Sequence, residues 1–496
     1  MAQPAPAAPG LRQRRLGVGS LIFFTVSASA PMTVLAGGVV TTYAVTGSIG
    51  VPLSFPILGV ALALFAVGYA AMTRYVENAG AFYAYIALGL SRAWGVAGSA
   101  VAIVAYNTIQ IGLYGLFGWA FSGFAAAQWK VDLDWWACAL GVWAIVGILG
   151  LFNVDLSAKV LGVFLIAEIA AVLLFDLGGF GHAAGGSVSA ESLRPDNLFT
   201  AGVGGVFAFG IAAFVGFESA AVYSSEVKDP RRTVARATYI AVAITSVLYA
   251  VSAWALAAAA GKQALSKGPA DPFAMIADWF GTNLATAANV LFLTSVFAAL
   301  LSFHMVVSRY TFAAGQEGVL PRFTAATWRR TGSPVAGSLL QSLAAVVTFG
   351  IFAIQGRDPL QQLFTWLSYV AAVGVLVLMI GTSLSVLGYF RGRDTAESPW
   401  QRIIAPALAS IALIAITATI IVNADSVLGA EKGSALTYVL PGIVGAALVI
   451  GLVWGYVIKL RNPSVYSGIG EGGARQAAAL AGIEDLLARA DDRVSA

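Results

Sequence analysis

Charge is scarce in this sequence. Of 496 residues only 10% are Asp, Glu, Lys or Arg, against about 25% in a typical soluble domain. So few charges cannot clothe a water-facing surface, and with 59% hydrophobic residues the outside of the molecule must face lipid. Cysteine occurs once, at Cys138, which excludes an intramolecular disulfide framework. The only histidines are His182 and His304, too few for a His-rich metal site. No CxxC, HExxH or phosphate-loop pattern occurs, so no cofactor, resident metal or enzymatic activity is expected. The net charge of +4 comes from basic residues scattered along the chain, which argues against a nucleic-acid partner.

What the chain does have is apolar length. A membrane-crossing helix needs about 20 apolar residues, and twelve such stretches can be drawn. They run from Leu16 to Tyr43, Pro52 to Thr73, Trp94 to Phe124, Trp135 to Phe152, Ser157 to Leu177 and Leu198 to Ser225. The second half supplies Ala235 to Ala259, Leu284 to Phe312, Ser333 to Ile354, Leu360 to Phe390, Ile403 to Val422 and Leu436 to Ile458. The 55 glycines suit close helix packing within such a bundle.

With the N-terminus placed in the cytoplasm, the inner loops and tails hold 22 of the 28 Lys and Arg residues, which puts both termini inside a cell membrane, expected to be a bacterial inner membrane. A signal peptide ending near Ser27-Ala28-Ser29-Ala30 is the competing reading of the first stretch, but the apolar run continues well past it. Residues 1–15 read as a disordered tail. Residues 459–496 read as a cytoplasmic tail in which Leu480, Ile483, Leu486 and Leu487 have amphipathic spacing.

Two spans carry interruptions. Ser27-Ala28-Ser29-Ala30-Pro31 lies ten to fourteen residues into the first, roughly 15 to 20 Å deep. Proline removes a backbone donor there, and small polar neighbours suit an unwound stretch lined by protein or water. The sixth span carries Phe214-Val215-Gly216-Phe217-Glu218 at similar depth. A simple proline kink and a packing glycine are the alternative. The second broken span comes five spans after the first, and five is odd, so residues 198–390 are expected to form a five-helix repeat inverted relative to residues 16–178, with two further helices in 403–458. Broken helices in matching positions of inverted repeats mark the substrate site of secondary transporters. Bare amides at one half-helix end attract a carboxylate and bare carbonyls at the other attract an ammonium, so a zwitterion is a fitting ligand.

Phe214-Val215-Gly216-Phe217-Glu218-Ser219, followed by Glu226-Val227-Lys228-Asp229-Pro230-Arg231-Arg232, resembles the sixth-span signature of the amino acid-polyamine-organocation (APC) permeases. Ser308-Arg309-Tyr310 with Gly318-Val319-Leu320-Pro321 is similar to that family's eighth-span motif. The resemblance implies an all-α LeuT-type fold with twelve transmembrane helices and proton-coupled or exchange transport of an amino acid or related amine. It covers about residues 17 to 390. Family members usually have glycines at the first break, where this chain has Ser27, Ala28, Ser29 and Ala30, with Gly37-Gly38 later.

The candidate substrate contacts are therefore Ser27, Ala28, Ser29, Ala30, Phe214, Val215, Gly216 and Phe217, joined by Asn107 and Gln110, which share a face of the third span with Tyr106 and Tyr114. Interhelical hydrogen bonding is the alternative for that polar face, and packing is the alternative for the two phenylalanines. Glu168 and Glu218 are the acids deep within the stretches, and a carboxylate at such depth is a functional candidate by default. Glu168 is expected to bind and release a proton, at a position where some proton-coupled family members have a lysine; a permanently protonated acid hydrogen-bonded across helices is the alternative. Glu218 is expected to gate or sense the substrate. Sodium coupling through the adjacent hydroxyls of Thr294 and Ser295 is the alternative. Trp366, Tyr369, His304 and Arg309 read as packing or structural residues near the gates.

Overall fold

A computed structural model describes residues 18–76, 82–152, 158–218, 230–265, 270–328, 331–431 and 433–472. The expected amphipathic segment at 480–487 and residues 219 and 226–229 of the sixth-span motif lie outside these residues, and so do the side chains of Ser27 and Ala28.

All regular structure among the described residues is helical. In chain order the main helices are α1 (Val18–Ser29), α2 (Val40–Thr46), α3 (Val51–Met72), α4 (Phe82–Gly89), α5 (Arg92–Trp129), α6 (Trp135–Phe152), α7 (Ala158–Gly181) and α8 (Val203–Phe214). There follow α9 (Pro230–Leu265), α10 (Pro272–Phe280), α11 (Thr282–Gln316), α12 (Val335–Ile354), α13 (Thr365–Phe390), α14 (Ala405–Val422) and α15 (Leu436–Arg461). Ten segments among the described residues are long and apolar enough to cross a membrane. The expected first and sixth spans contribute shorter pieces, because each is interrupted where the sequence places its break.

Burial separates a centre from a rim. Within their most apolar stretches α5 is 67% and the Pro359–Phe390 segment 72% buried, whereas α6 and α15 are each 22% buried. The side chains left outside on α15 include Val449, Ile450, Val453 and Trp454, an apolar face suited to lipid. The opposite face of α15 approaches α5 through glycines: a Cβ on Gly451 would lie 2.5 Å from the Ala97 Cα, and one on Gly455 2.7 Å from the Ala93 Cα. Small residues set this close crossing.

Two of these labelled helices correspond to no expected span. α4 and α10 are too short to span, and both follow local rules. Asp271 caps α10 by accepting hydrogen bonds from the Phe273 and Ala274 amides at 2.9 and 3.1 Å, with Pro272 opening the helix. α4 carries the fully buried Tyr83 and Tyr85, with Phe82 and Tyr85 packed on Tyr69 of α3, so its apolar face is spent inside the bundle.

Candidate functional site

The first break begins where α1 ends. Ala30 takes a left-handed φ of 47°, Pro31 follows, and the chain resumes as a π-helical stretch, Thr33–Val39, before α2. The carbonyl of Ser29, orphaned by the end of α1, accepts a 3.0 Å hydrogen bond from the Tyr249 hydroxyl on α9.

Glu168, on α7, closes the other side of this break. Its Oε2 accepts a 2.7 Å hydrogen bond from Ser295 Oγ on α11. Ser295 Oγ in turn accepts from the Thr33 amide at 3.3 Å and from Thr33 Oγ1 at 3.0 Å. The Met32 backbone also hydrogen-bonds the carboxylate. Glu168, Ser295 and the start of the resumed helix thus form one chain of hydrogen bonds in which Ser295 spends its only proton on the acid. Thr294, the other hydroxyl considered for a cation, donates to Leu291 O on its own helix at 2.9 Å.

The second break lies beyond α8. Val215 leaves helical geometry, with ψ of 127°, and Gly216 takes a φ of 113°, which an L side chain rarely adopts. The Gly216 amide donates to Glu218 Oε2 at 3.0 Å, and the Tyr106 hydroxyl donates to Glu218 Oε1. Tyr69 OH reaches the Glu218 carbonyl at 3.4 Å. Tyr106 lies against Tyr310 with ring centroids 5.5 Å apart, so buried aromatic rings seal this side of the acid.

Between the breaks is a cavity of about 50 Å³. Ser29, Ala30 and Thr33 line it from the first break, and Ala212, Ala213 and Val215 from the second. Val34 and Gly38 of the resumed helix, Ile109 and Leu113 of α5, Phe209 of α8, Ala299 and Phe303 of α11, and Phe364 and Ser368 beside and on α13 complete the walls.

The structure therefore gathers Ser29, Ala30 and Val215 from the expected contacts around one cavity. Gly216 shapes the break without lining the cavity. Phe214 packs on Phe55 and Tyr249, each at 6.2 Å, and Phe217 on Phe65 at 5.9 Å. Asn107 donates to Ile103 O within its own helix at 2.7 Å. Gln110 donates to Leu300 O at 3.2 Å and accepts from Gln341; it ties α5 to α11 and α12. His304 bonds Ser338 at 2.7 Å, and Trp366 donates to Leu428 O at 3.3 Å.

Several residues escaped the sequence reading. Phe209, Phe303, Phe364 and Ser368 face the cavity, but lone aromatics or serines in apolar spans carry no distinguishing pattern. Asp176, one residue from the expected end of the fifth span, is buried on α7 and accepts from Ser252 Oγ at 3.1 Å.

The sequence of the amino acid permease family matches this chain over residues 16–448, and the chain belongs to that family. It is a multi-pass membrane protein and a secondary transporter. An uncharacterized transporter of Mycobacterium tuberculosis is 28% identical over 351 residues, covering 68% of this chain and 75% of its own. A branched-chain amino acid permease of Lactococcus lactis is 24% identical over 433 residues, covering 80% and 85% respectively. Among solved structures, a manganese transporter of Eremococcus coleocola, crystallised with an aromatic bis-isothiourea compound, superposes with a TM-score of 0.53 at 15% identity, over 91% of this chain and 98% of that one. At that identity the likeness is one of fold, and the fold is LeuT-type.

Proposed function

We propose that the protein carries an amino acid or related amine across the cell membrane by alternating access, coupled to protons through Glu168, with both termini in the cytoplasm. The observation that carries the coupling is the Glu168–Ser295–Thr33 chain of hydrogen bonds. An ionised carboxylate only accepts, whereas a protonated one gains a donor. On protonation Glu168 can donate to Ser295 Oγ, whose own hydrogen then turns towards Thr33 Oγ1, and Thr33 must stop donating in return. The hold of α7 and α11 on the first break changes with one proton. The substrate sits in the cavity between the breaks, and Glu218 holds the second break shut against Tyr106.

Family membership supports the amino acid part of this reading, as does a branched-chain amino acid permease among the relatives. The cytoplasmic termini rest on the asymmetry of Lys and Arg. Sodium coupling is less well supported, since Ser295 Oγ already accepts hydrogen bonds from the Thr33 amide and from Thr33 Oγ1, which occupy the lone pairs a cation would need. Uptake by proteoliposomes under an imposed proton gradient, and separately under a sodium gradient, tests the coupling. The expected result is concentrative uptake with the proton gradient alone; accumulation only with sodium overturns it.

A further inference from the structure

Three polar side chains line the cavity between the breaks: Ser29, Thr33 and Ser368. Two are already spent. Ser29 Oγ donates to Thr25 O at 3.1 Å, and Thr33 Oγ1 donates to Ser295. Ser368 is 1% exposed, and its hydroxyl has no hydrogen-bond partner among the described residues. A buried hydroxyl left without a partner is unfavourable, and groups of this kind are expected where a ligand completes the bonding.

The remaining walls are aliphatic, aromatic or glycine, and among the described residues no charged side chain lines the cavity. The two nearby acids are committed elsewhere, Glu168 to Ser295 and Glu218 to Gly216 and Tyr106. A cationic or acidic substrate side chain would add a net charge to the mutually compensating pair of the zwitterion, with no counter-charge on the cavity wall, at a large desolvation cost. The cavity is small, about 50 Å³, which favours a short side chain over a long or aromatic one.

We infer that the substrate is a small neutral amino acid with a short side chain, and that the Ser368 hydroxyl is a specificity-determining contact that hydrogen-bonds its polar part. This rests on the transporter reading above and names the substrate class of the same cavity. A short aliphatic substrate satisfies both features at once: its apolar part meets Ile109, Leu113 and Phe303, and its polar part gives Ser368 the partner the protein withholds.

The test is binding to the purified full chain, by calorimetry and by protection against thermal unfolding, with alanine, serine, phenylalanine, lysine, glutamate and putrescine as probes. Alanine and serine are expected to bind, and the other four to bind at least tenfold more weakly. Ser368→Ala is expected to weaken alanine and serine binding by tenfold or more, with an unchanged unfolding midpoint in the absence of ligand. Ser410→Ala, which alters a serine bonded to Pro406 O away from the cavity, is the control and is expected to leave both affinities unchanged. Preferential binding of lysine, glutamate, putrescine or phenylalanine overturns the substrate class while leaving an amino acid or amine transporter in place. Equal affinities in Ser368→Ala and the unaltered protein overturn the role of Ser368. If none of the six probes binds, the inference falls; if transport assays with a wider set of amino acids and amines also give nothing, the transporter's substrate reading falls with it.

Discussion

The Gly216 amide donates a 3.0 Å hydrogen bond to the carboxylate of Glu218, two residues further along. The second helix break is therefore closed by an acid belonging to the break itself. The first break has a counterpart in Glu168, which comes from α7 and reaches Thr33 through Ser295. In both cases a buried carboxylate satisfies backbone donors that an interrupted helix would otherwise leave bare. Amides expected to receive a substrate carboxylate thus have partners within the protein in this conformation.

Glu218 carries the second break, so its removal should be felt in stability as well as transport. Glu218→Ala strands both the Tyr106 hydroxyl and the Gly216 amide, at about 1–3 kcal/mol for each buried donor left unsatisfied. A lowered thermal midpoint in detergent and loss of uptake are expected. Glu218→Gln keeps an acceptor oxygen and should recover most of the midpoint but little of the transport.

Backbone conformation gives a second prediction. Gly216→Ala places a side chain at φ 113°, for which about 1–3 kcal/mol of strain is expected. At Ala30, φ is 47°, so Ala30→Gly should be tolerated while Ala30→Val should lower both the thermal midpoint and uptake. Measuring unfolding and transport on all three variants checks the pair of breaks together.

Ser295 links acid to helix, and the link is measurable as a coupling. Ser295→Ala should reduce uptake and flatten its dependence on pH in the same direction as Glu168→Gln. Combining the two should cost less than the sum of the singles, with an interaction energy of about 0.5–3 kcal/mol. Strict additivity would mean that the two residues act separately.

Asp176 provides a contrast on the same helix. It is buried and bonded to Ser252, and among the described residues its carboxylate makes no hydrogen bond to either break. Asp176→Asn retains an oxygen to accept from Ser252 and should leave the pH dependence of uptake as it was. A profile altered as much as in Glu168→Gln would move proton binding to Asp176.

The breaks were legible in the sequence because proline and glycine act on the backbone directly: Pro31 follows the left-handed Ala30, and Gly216 supplies a φ that other residues rarely adopt. Glu168 was legible because acids in apolar stretches are rare. Partnership was not legible. Asn107 and Gln110 share a helical face as their spacing requires, but Asn107 turns to Ile103 and Gln110 to Leu300 and Gln341, and only three-dimensional neighbours decide that. Ser368 was hidden for a related reason, since a serine in an apolar span reads as a small packing residue until its hydroxyl is found without a partner. α4 and α10 were missed because they are shorter than the length used to find spans.

Proton movement accompanying transport tests the role of Glu168 most directly. Proteoliposomes loaded with a pH-sensitive dye, and given an amino acid that binds the protein, should acidify inside as the substrate enters. With Glu168→Gln, the same vesicles should exchange labelled for unlabelled substrate yet show no acidification. Acidification by Glu168→Gln at the rate of the unaltered protein would contradict the assignment of Glu168 as the coupling acid.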